Sequence, residues 1–442
     1  MDNQKMGNYS RKLAPLEEEY GLYYTKLEGL GLVASVMRLR GSLEIPVIEQ
    51  SLSLLQQRHP FLQMQIVQEK DGMYFAAQAT RRIPLRIVKR NKENQWLEVL
   101  EEELNYKIDI QQDPLIKLAY IPAASGSDVF DLIFFIHHSI SDGICLVQLC
   151  REFLDYCARI TEGEQVKVDR LPLSPPSEEL LPLSKNVSLK FFLFKLKFIC
   201  EQLLKKPHQL APDIDSPVSE QKSRLVHRFL NERQTKRLCQ ICKKEGTTVT
   251  AALNTAMVLT LKNELAIPGD AYINAIIAVN NRQFIPSEFA HHKNLSFMAG
   301  GIWIFENIFN KASFWERARN SRQKIEQGLR SNHHFYSVLA APYRIDILKK
   351  GEILPTTYIL SNVGRINQPK NYGCLELIEN HITASNRSYK PLPILHCTTF
   401  NSKLYLTFSY AEPLISKKKA QSMVDFLMSS LLEAIGEFRI EN

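Results

Sequence analysis

The chain has 442 residues, of which 45% are hydrophobic and 23% charged, a balance that excludes fibrous and disordered classes and a length that calls for two lobes rather than one core. The net charge of +8 favours acidic partners: coenzyme A phosphates, an acidic carrier protein, anionic lipid or nucleic acid. Nucleic acid is set aside, because the basic residues are scattered and neither zinc-finger, helix-turn-helix nor RNA-binding spacing occurs.

The first residues, Met1 to Gly7, are polar, with no apolar segment to direct secretion, so a cytoplasmic location is expected. Ile45 to Gln57 carries Val47, Ile48, Leu52 and Leu55 at helical spacing and stops at Arg58-His59-Pro60. Leu62 to Val67 alternates as a half-buried strand, and Asp71-Gly72 turns the chain into Met73 to Ala77. Val129 to Ile136 is a nearly continuous apolar run, the pattern of a strand covered on both faces. A helix follows over Ile144 to Cys157, with Leu146, Leu149, Cys150, Phe153, Leu154 and Cys157 on one side.

From Leu171 a Pro- and Ser-rich linker begins, and polar, proline-bearing sequence returns at Lys206 to Lys222. Between them, Asn186 to Leu204 is rich in Phe and Leu but holds three lysines, which argues against a membrane span. Lys190, Lys197 and Glu201 fall on one stripe, so an amphipathic helix is predicted. It either bridges two lobes or lies on a membrane surface, and peripheral membrane contact through residues 186–204 is one expectation. Beyond the linker the pattern predicts a strand at Arg224 to Leu230 and a helix over Glu232 to Lys244. Gly246-Thr247-Thr248-Val249 reads as a turn opening the helix Ala251 to Leu261. Strands are predicted at Ala271–Val279, Ile302–Ile308, Thr357–Leu360 and Lys403–Tyr410. Strands interleaved with helices on both sides of a linker give an α/β (α+β) class with lobes at 1–165 and 223–442, joined by 166–222.

The eight cysteines mostly fall in apolar runs, where a free thiol packs as a small hydrophobe. Cys239 and Cys242 form a single Cys-x-x-Cys within a predicted helix. A zinc site would need a second pair, so no metal is expected.

His137-His138-Ser139-Ile140-Ser141-Asp142-Gly143 lies between the buried strand and the amphipathic helix. In α/β architectures the end of a rigid strand is where reactive groups face a crevice. Asp142 is suited to capping the helix, and Gly143 allows close backbone approach or an unusual φ. A histidine held there can take a proton from an attacking hydroxyl or amine near neutral pH. His-His also occurs at His291-His292 and His333-His334, but only the first pair follows a buried strand and precedes Asp-Gly. A metal reading would use His138 and Asp142 as i and i+4 ligands, yet it lacks a third ligand. Ser139 or Ser141 as a nucleophile lacks a Gly-x-Ser-x-Gly elbow. Spacing alone leaves a structural histidine pair as plausible as a catalytic one.

The run His-His-x-x-x-Asp-Gly resembles the motif of the acyltransferase superfamily that holds nonribosomal peptide condensation domains, plant BAHD-type enzymes and polyketide-associated acyltransferases. Weaker matches keep the same order along the chain: Arg58-His59-Pro60-Phe61-Leu62, Asp113-Pro114-Leu115, Gly246-Thr247-Thr248-Val249 and Ser361-Asn362-Val363-Gly364. The resemblance implies two chloramphenicol-acetyltransferase-like lobes with a tunnel at their interface, donor and acceptor entering from opposite faces. It implies His138 as the general base, with His137 and Gly143 supporting the motif. It also implies that Asp142 is structural and ion-paired with an arginine, for which Arg282 stands at the matching position. Ser361 and Asn362 are candidates for lining the tunnel or donating to an oxyanion. The early motif continues with Gln63 where the family often has arginine, and the late plant-branch motif Asp-Phe-Gly-Trp-Gly is missing.

The resulting expectation is an acyltransferase acting without a covalent enzyme intermediate. It would move an acyl group from a thioester, acyl-CoA or an acyl carrier protein's acyl-phosphopantetheine, to a small-molecule or lipid hydroxyl. The thioester is a co-substrate, no bound cofactor is expected, and the chain is expected to be a monomer. An amide-forming free-standing condensation enzyme and a silent carrier-protein-binding module are the alternatives.

Overall fold

The computed structural model describes residues 9–77, 81–183, 186–265, 271–285, 294–309 and 311–437; the pair His291-His292 lies outside them. The first part of the chain runs β1 (Tyr9–Lys12), α1 (Pro15–Lys26), β2 (Leu32–Arg40), α2 (Ile45–Arg58), β3 (Gln65–Glu69), β4 (Gly72–Ala76) and β5 (Leu85–Ile87). It continues through α3 (Gln95–Asn105), β6 (Ile116–Ile121), β7 (Val129–His137), α4 (Gly143–Thr161), α5 (Ser177–Leu180) and α6 (Val187–Lys205). The second part runs β8 (Lys222–Leu230), α7 (Glu232–Lys244), α8 (Val249–Leu265), β9 (Tyr272–Asn280), β10 (Ala299–Asn307), α9 (Phe314–Arg330), α10 (His333–Leu339) and α11 (Ala341–Lys349). It closes with β11 (Tyr358–Arg365), β12 (Asn371–Tyr372), β13 (Leu375–Ala384), β14 (Ile394–Phe400), β15 (Lys403–Glu412) and α12 (Lys417–Ala434).

Two six-stranded sheets organise these elements, in the orders β12-β13-β2-β7-β6-β5 and β10-β9-β11-β14-β15-β8. The mixed α/β class and the two sheet-rich lobes expected from the sequence are present. β7 is buried at every residue after Val129, as its unbroken apolar run demands. The apolar side of α4, from Leu146 to Cys157, seals the first core, where Cys145, Cys150 and Cys157 pack as hydrophobes. In the second core α8 is buried almost all round, consistent with a helix whose apolar residues form no single stripe. Cys242 packs there, whereas Cys239 is exposed. Among the described residues no helix is long and apolar enough to cross a membrane.

Three expectations change. Leu62 does not begin a strand: Pro60–Gln63 forms a 3-10 turn, because Phe61 and Leu62 both enter the core and a strand would send them to opposite faces. Secondly, the lobes are not two consecutive stretches of chain. β12 and β13, from the 223–442 stretch, pair into the first sheet, with β13 antiparallel to β2 from Glu376↔Arg40 to Ala384↔Val33. The chain then returns to the second sheet at β14, so residues 371–385 correct the boundary read from the sequence. Thirdly, among the described residues α6 packs on the second lobe rather than bridging the two. Its inner rings Phe191, Phe194 and Phe198 meet Tyr336, Trp303 and Phe305 in tilted or edge-on contacts, all from β10 and α10 of the second lobe.

Candidate active site

Residues 138–142 form the turn between β7 and α4. The His138 N–H donates to the Gly31 carbonyl at 2.8 Å, tying the turn to the loop before β2. Gly31 has φ +105°, a left-handed conformation that costs a side-chain-bearing residue, and an added Cβ would meet the Tyr20 ring at 3.6 Å. Ser385, at the end of the crossing strand, locks the same loop: its hydroxyl accepts from the N–H groups of Gly31 and Leu32 at 3.0 and 3.1 Å and donates to the Gly29 carbonyl at 3.1 Å.

The His138 ring sits between Tyr20 and Phe297, with centroids 4.5 and 4.7 Å away. Its Nδ1 lies 2.7 Å from the Ser141 carbonyl. A carbonyl oxygen can only accept, so Nδ1 carries the proton and Nε2 keeps its lone pair. Burial holds the imidazole below its ordinary value of 6.5, against the opposing pull of the Ser141 carbonyl and the Asp142 charge. The ring is therefore neutral at pH 7. His137 holds the opposite tautomer: its Nδ1 accepts from the Ser139 N–H at 3.2 Å and lies 2.7 Å from the Ser139 hydroxyl. His137 is fully buried in the first lobe, and burial pushes it down to about 3. Ser139 and Ser141 are buried as well, and neither lines the cavity described below.

Asp142 points away from His138. Its Oδ1 accepts the N–H groups of Ile144 and Cys145, both at 3.1 Å, capping α4 as expected. Its Oδ2 accepts from Arg282 Nη1 at 2.6 Å and from the Met298 N–H at 2.8 Å, joining the lobes. The second nitrogen of Arg282 donates to Cys145 Sγ and the Ser296 carbonyl, each at 2.8 Å. Four hydrogen bonds on one carboxylate leave it no capacity for a metal. Among the described residues no cluster of three or more His, Cys, Asp or Glu is arranged to hold one.

A cavity of about 320 Å³ opens where the lobes meet, lined by His138, Asp142, Gly143, Ser361 and the crossing segment from Ile382 to Ser388. Gly143 has helical geometry, and its role is close approach. An added Cβ would lie 3.0 Å from Val363 and 3.4 Å from Ile382. Ser361 faces the cavity on β11, but Asn362 does not, which corrects its candidacy as a tunnel or oxyanion group. Successive strand residues point to opposite sides, and Asn362 donates to Thr250 Oγ1 at 3.0 Å while accepting the Gly364 N–H at 2.9 Å. Arg58 and His59 also lie outside the cavity. They hold Glu152 of α4, at 3.3 and 2.8 Å, and so clamp α2 to α4.

Sequence reasoning missed several cavity residues. Tyr20 and Phe297 enclose His138 from outside its own motif. His396 of β14 lies alongside, its Nε2 3.1 Å from the Ser409 hydroxyl, and burial lowers it to about 3. Its position inside the strand-like run Ile394–Phe400, rich in β-branched and apolar residues, was the available signal. Arg387 donates to Asn105 Oδ1 at 3.1 Å, and Arg344 makes a two-pronged pair with Glu19 at 2.6 Å on each side.

Buried histidines make stability fall with acid, and two of them show it most plainly. His137 and His396 titrate near 3 in the folded protein against 6.5 unfolded, so the unfolded chain binds more protons between those values. Stability is retained above pH 6.5 and drops as pH falls below it, by up to about 1.4 kcal/mol per pH unit for each histidine. Urea midpoints at pH 7, 6 and 5 check this; a flat series would contradict it, and His396→Gln should shallow the slope.

The condensation domain family model matches residues 32–278, more than half of the chain, and the model for the phthiocerol/phthiodiolone dimycocerosyl transferase C-terminus matches residues 219–414. Nonribosomal peptide synthetase kk1B of Curvularia clavata is 27% identical over 298 residues, 65% of this chain and only 2% of that protein's length. Among solved structures, the TRI3 trichothecene 15-O-acetyltransferase of Fusarium sporotrichioides is similar in fold with a TM-score of 0.77 at 14% identity, covering 96% of this chain and 94% of that one. Polyketide synthase associated protein 5 of Mycobacterium tuberculosis is similar with a TM-score of 0.71 at 16% identity, covering 96% and 98%. The first condensation domain of the CDA synthetase gives 0.72 at 13% identity, covering 96% of each chain. With the His-His-Ser-Ile-Ser-Asp-Gly turn standing at the junction of two such lobes, the chain belongs to the condensation domain family.

Proposed function

We propose that the chain transfers an acyl group from a thioester to a hydroxyl acceptor, with His138 as the general base. The observation that carries this reading is the Nδ1–H contact to the Ser141 carbonyl, which leaves a neutral Nε2 available in a cavity lined by both lobes. In the reaction Nε2 removes the acceptor's proton as its oxygen attacks the thioester carbonyl. The carbon–sulfur bond then breaks, and the protonated imidazole returns the proton to the departing thiolate. Atoms balance without an acyl-enzyme. The Ser361 hydroxyl, facing the cavity, supplies candidate stabilisation for the oxyanion.

Glu19 and Asp142, the two carboxylates that line the cavity among the described residues, are each engaged by an arginine, which leaves His138 as the base for the acceptor's proton. The donor is acyl-CoA or an acyl carrier protein's acyl-phosphopantetheine, entering from the face opposite the acceptor. Incubation with acyl-CoA and acyl carrier protein thioesters plus alcohol or amine acceptors, read by thiol release, tests the reading. Acceptor-dependent release with alcohols is expected; release with amines alone would overturn the hydroxyl assignment, and no release with either thioester class would overturn transfer.

The pH profile follows from the depressed pKa. The base must be neutral, so kcat/KM is expected to fall on the acid side along a limb whose midpoint lies below 6.5. An acid limb centred above 6.5 would remove His138 from the role.

A further inference from the structure

α6 carries two apolar faces. The inner one packs on β10 and α10, as described above. The outer one is left uncovered by the described residues: Leu189, Phe192, Leu193, Leu196, Ile199, Leu203 and Leu204 are all exposed, Leu204 at 83% and Leu203 at 68%. At 3.6 residues per turn these side chains fall in one continuous arc. Lys190 and Lys197 flank one side of the arc, and Lys195 and Lys206 flank the other. Between Asn186 and Lys206 the sequence has five lysines against one acidic residue, Glu201, which pairs with Lys205 at 3.0 Å.

We infer that this outer face of α6 docks on an anionic phospholipid bilayer. An apolar arc bordered by lysines suits the boundary between acyl chains and headgroups, where the lysine stems lie along the apolar layer and the ammonium groups reach lipid phosphates. A second copy of the chain fits less well, because pairing two such faces sets lysines against lysines. At its centre the arc offers only the exposed Cys200 thiol, a weak hydrogen-bond donor, to a protein partner. The position of the helix gives docking a consequence. An apolar pocket of about 180 Å³ lies alongside α6, bordered by Phe192, Leu196 and Ile199 from the edge of the outer face, and Trp303 and Leu354 line both this pocket and the cavity that holds His138. Docking would bring lipid within one side-chain layer of that cavity.

Co-sedimentation of the full chain with phosphatidylcholine vesicles, with and without phosphatidylserine, tests the inference. Binding should require phosphatidylserine and should weaken at least about 30-fold in the double variant Lys190→Glu, Lys197→Glu. The double variant Leu193→Ser, Leu204→Ser should also lose binding. Both pairs are exposed, so circular dichroism and the thermal midpoint should stay those of the parent. Absent binding, binding unchanged in both variants, or a self-association that Leu193→Ser, Leu204→Ser abolishes while vesicle binding persists would each overturn the inference.

Discussion

Replacing His138 with alanine lowers acceptor-dependent thiol release by about 10²- to 10⁴-fold, the range general-base catalysis contributes, while the fold persists. The ring hydrogen-bonds only at Nδ1 among the described residues, and the apolar rings of Tyr20 and Phe297 flank it. Its removal therefore enlarges the cavity without stranding a buried charge. Because base and oxyanion stabilisation are separate contributions, KM for the acyl donor should change much less than kcat. His137→Ala separates the two histidines: that residue is fully buried, so its loss should lower the urea midpoint as well as activity. If His138→Ala keeps more than about a tenth of the parent's kcat, general-base catalysis at this ring is refuted.

Asp142→Ala is expected to destabilise the protein by about 3–5 kcal/mol, because it leaves Arg282 buried without its counter-charge. The cap of α4 is lost too, adding about 1 kcal/mol. Asp142→Asn separates these contributions. An amide oxygen can still accept from Ile144 and Cys145, so the asparagine variant should recover the cap but not the charge. Urea midpoints of the two variants should differ accordingly. Activity should fall in both, for a geometric reason. The Ser141 carbonyl that orients His138 directly precedes Asp142, so loosening the Arg282 and Met298 contacts frees the peptide that fixes the base's tautomer. An alanine variant within about 1 kcal/mol of the parent would show that the pair does not hold the lobes together.

What the sequence determined by itself was local. The unbroken apolar run of β7, the one-sided pattern of α4 and the Asp-Gly at their junction follow from burial periodicity and capping chemistry, which are properties of adjacent residues. The Asp142–Arg282 contact was reached only through family resemblance, since 140 positions separate the partners. Tertiary structure alone decided the rest. β13 mixes polar and apolar residues, and nothing in its own pattern says that it leaves the second lobe to pair with β2. Asn362 looked equivalent to Ser361 until strand pleat and the contact with Thr250 turned it away. Tyr20, Phe297 and His396 converge on His138 from three distant segments. Periodicity reports which face of an element is buried; what that face meets depends on how the chain closes over long loops, and the cavity exists only after that closure.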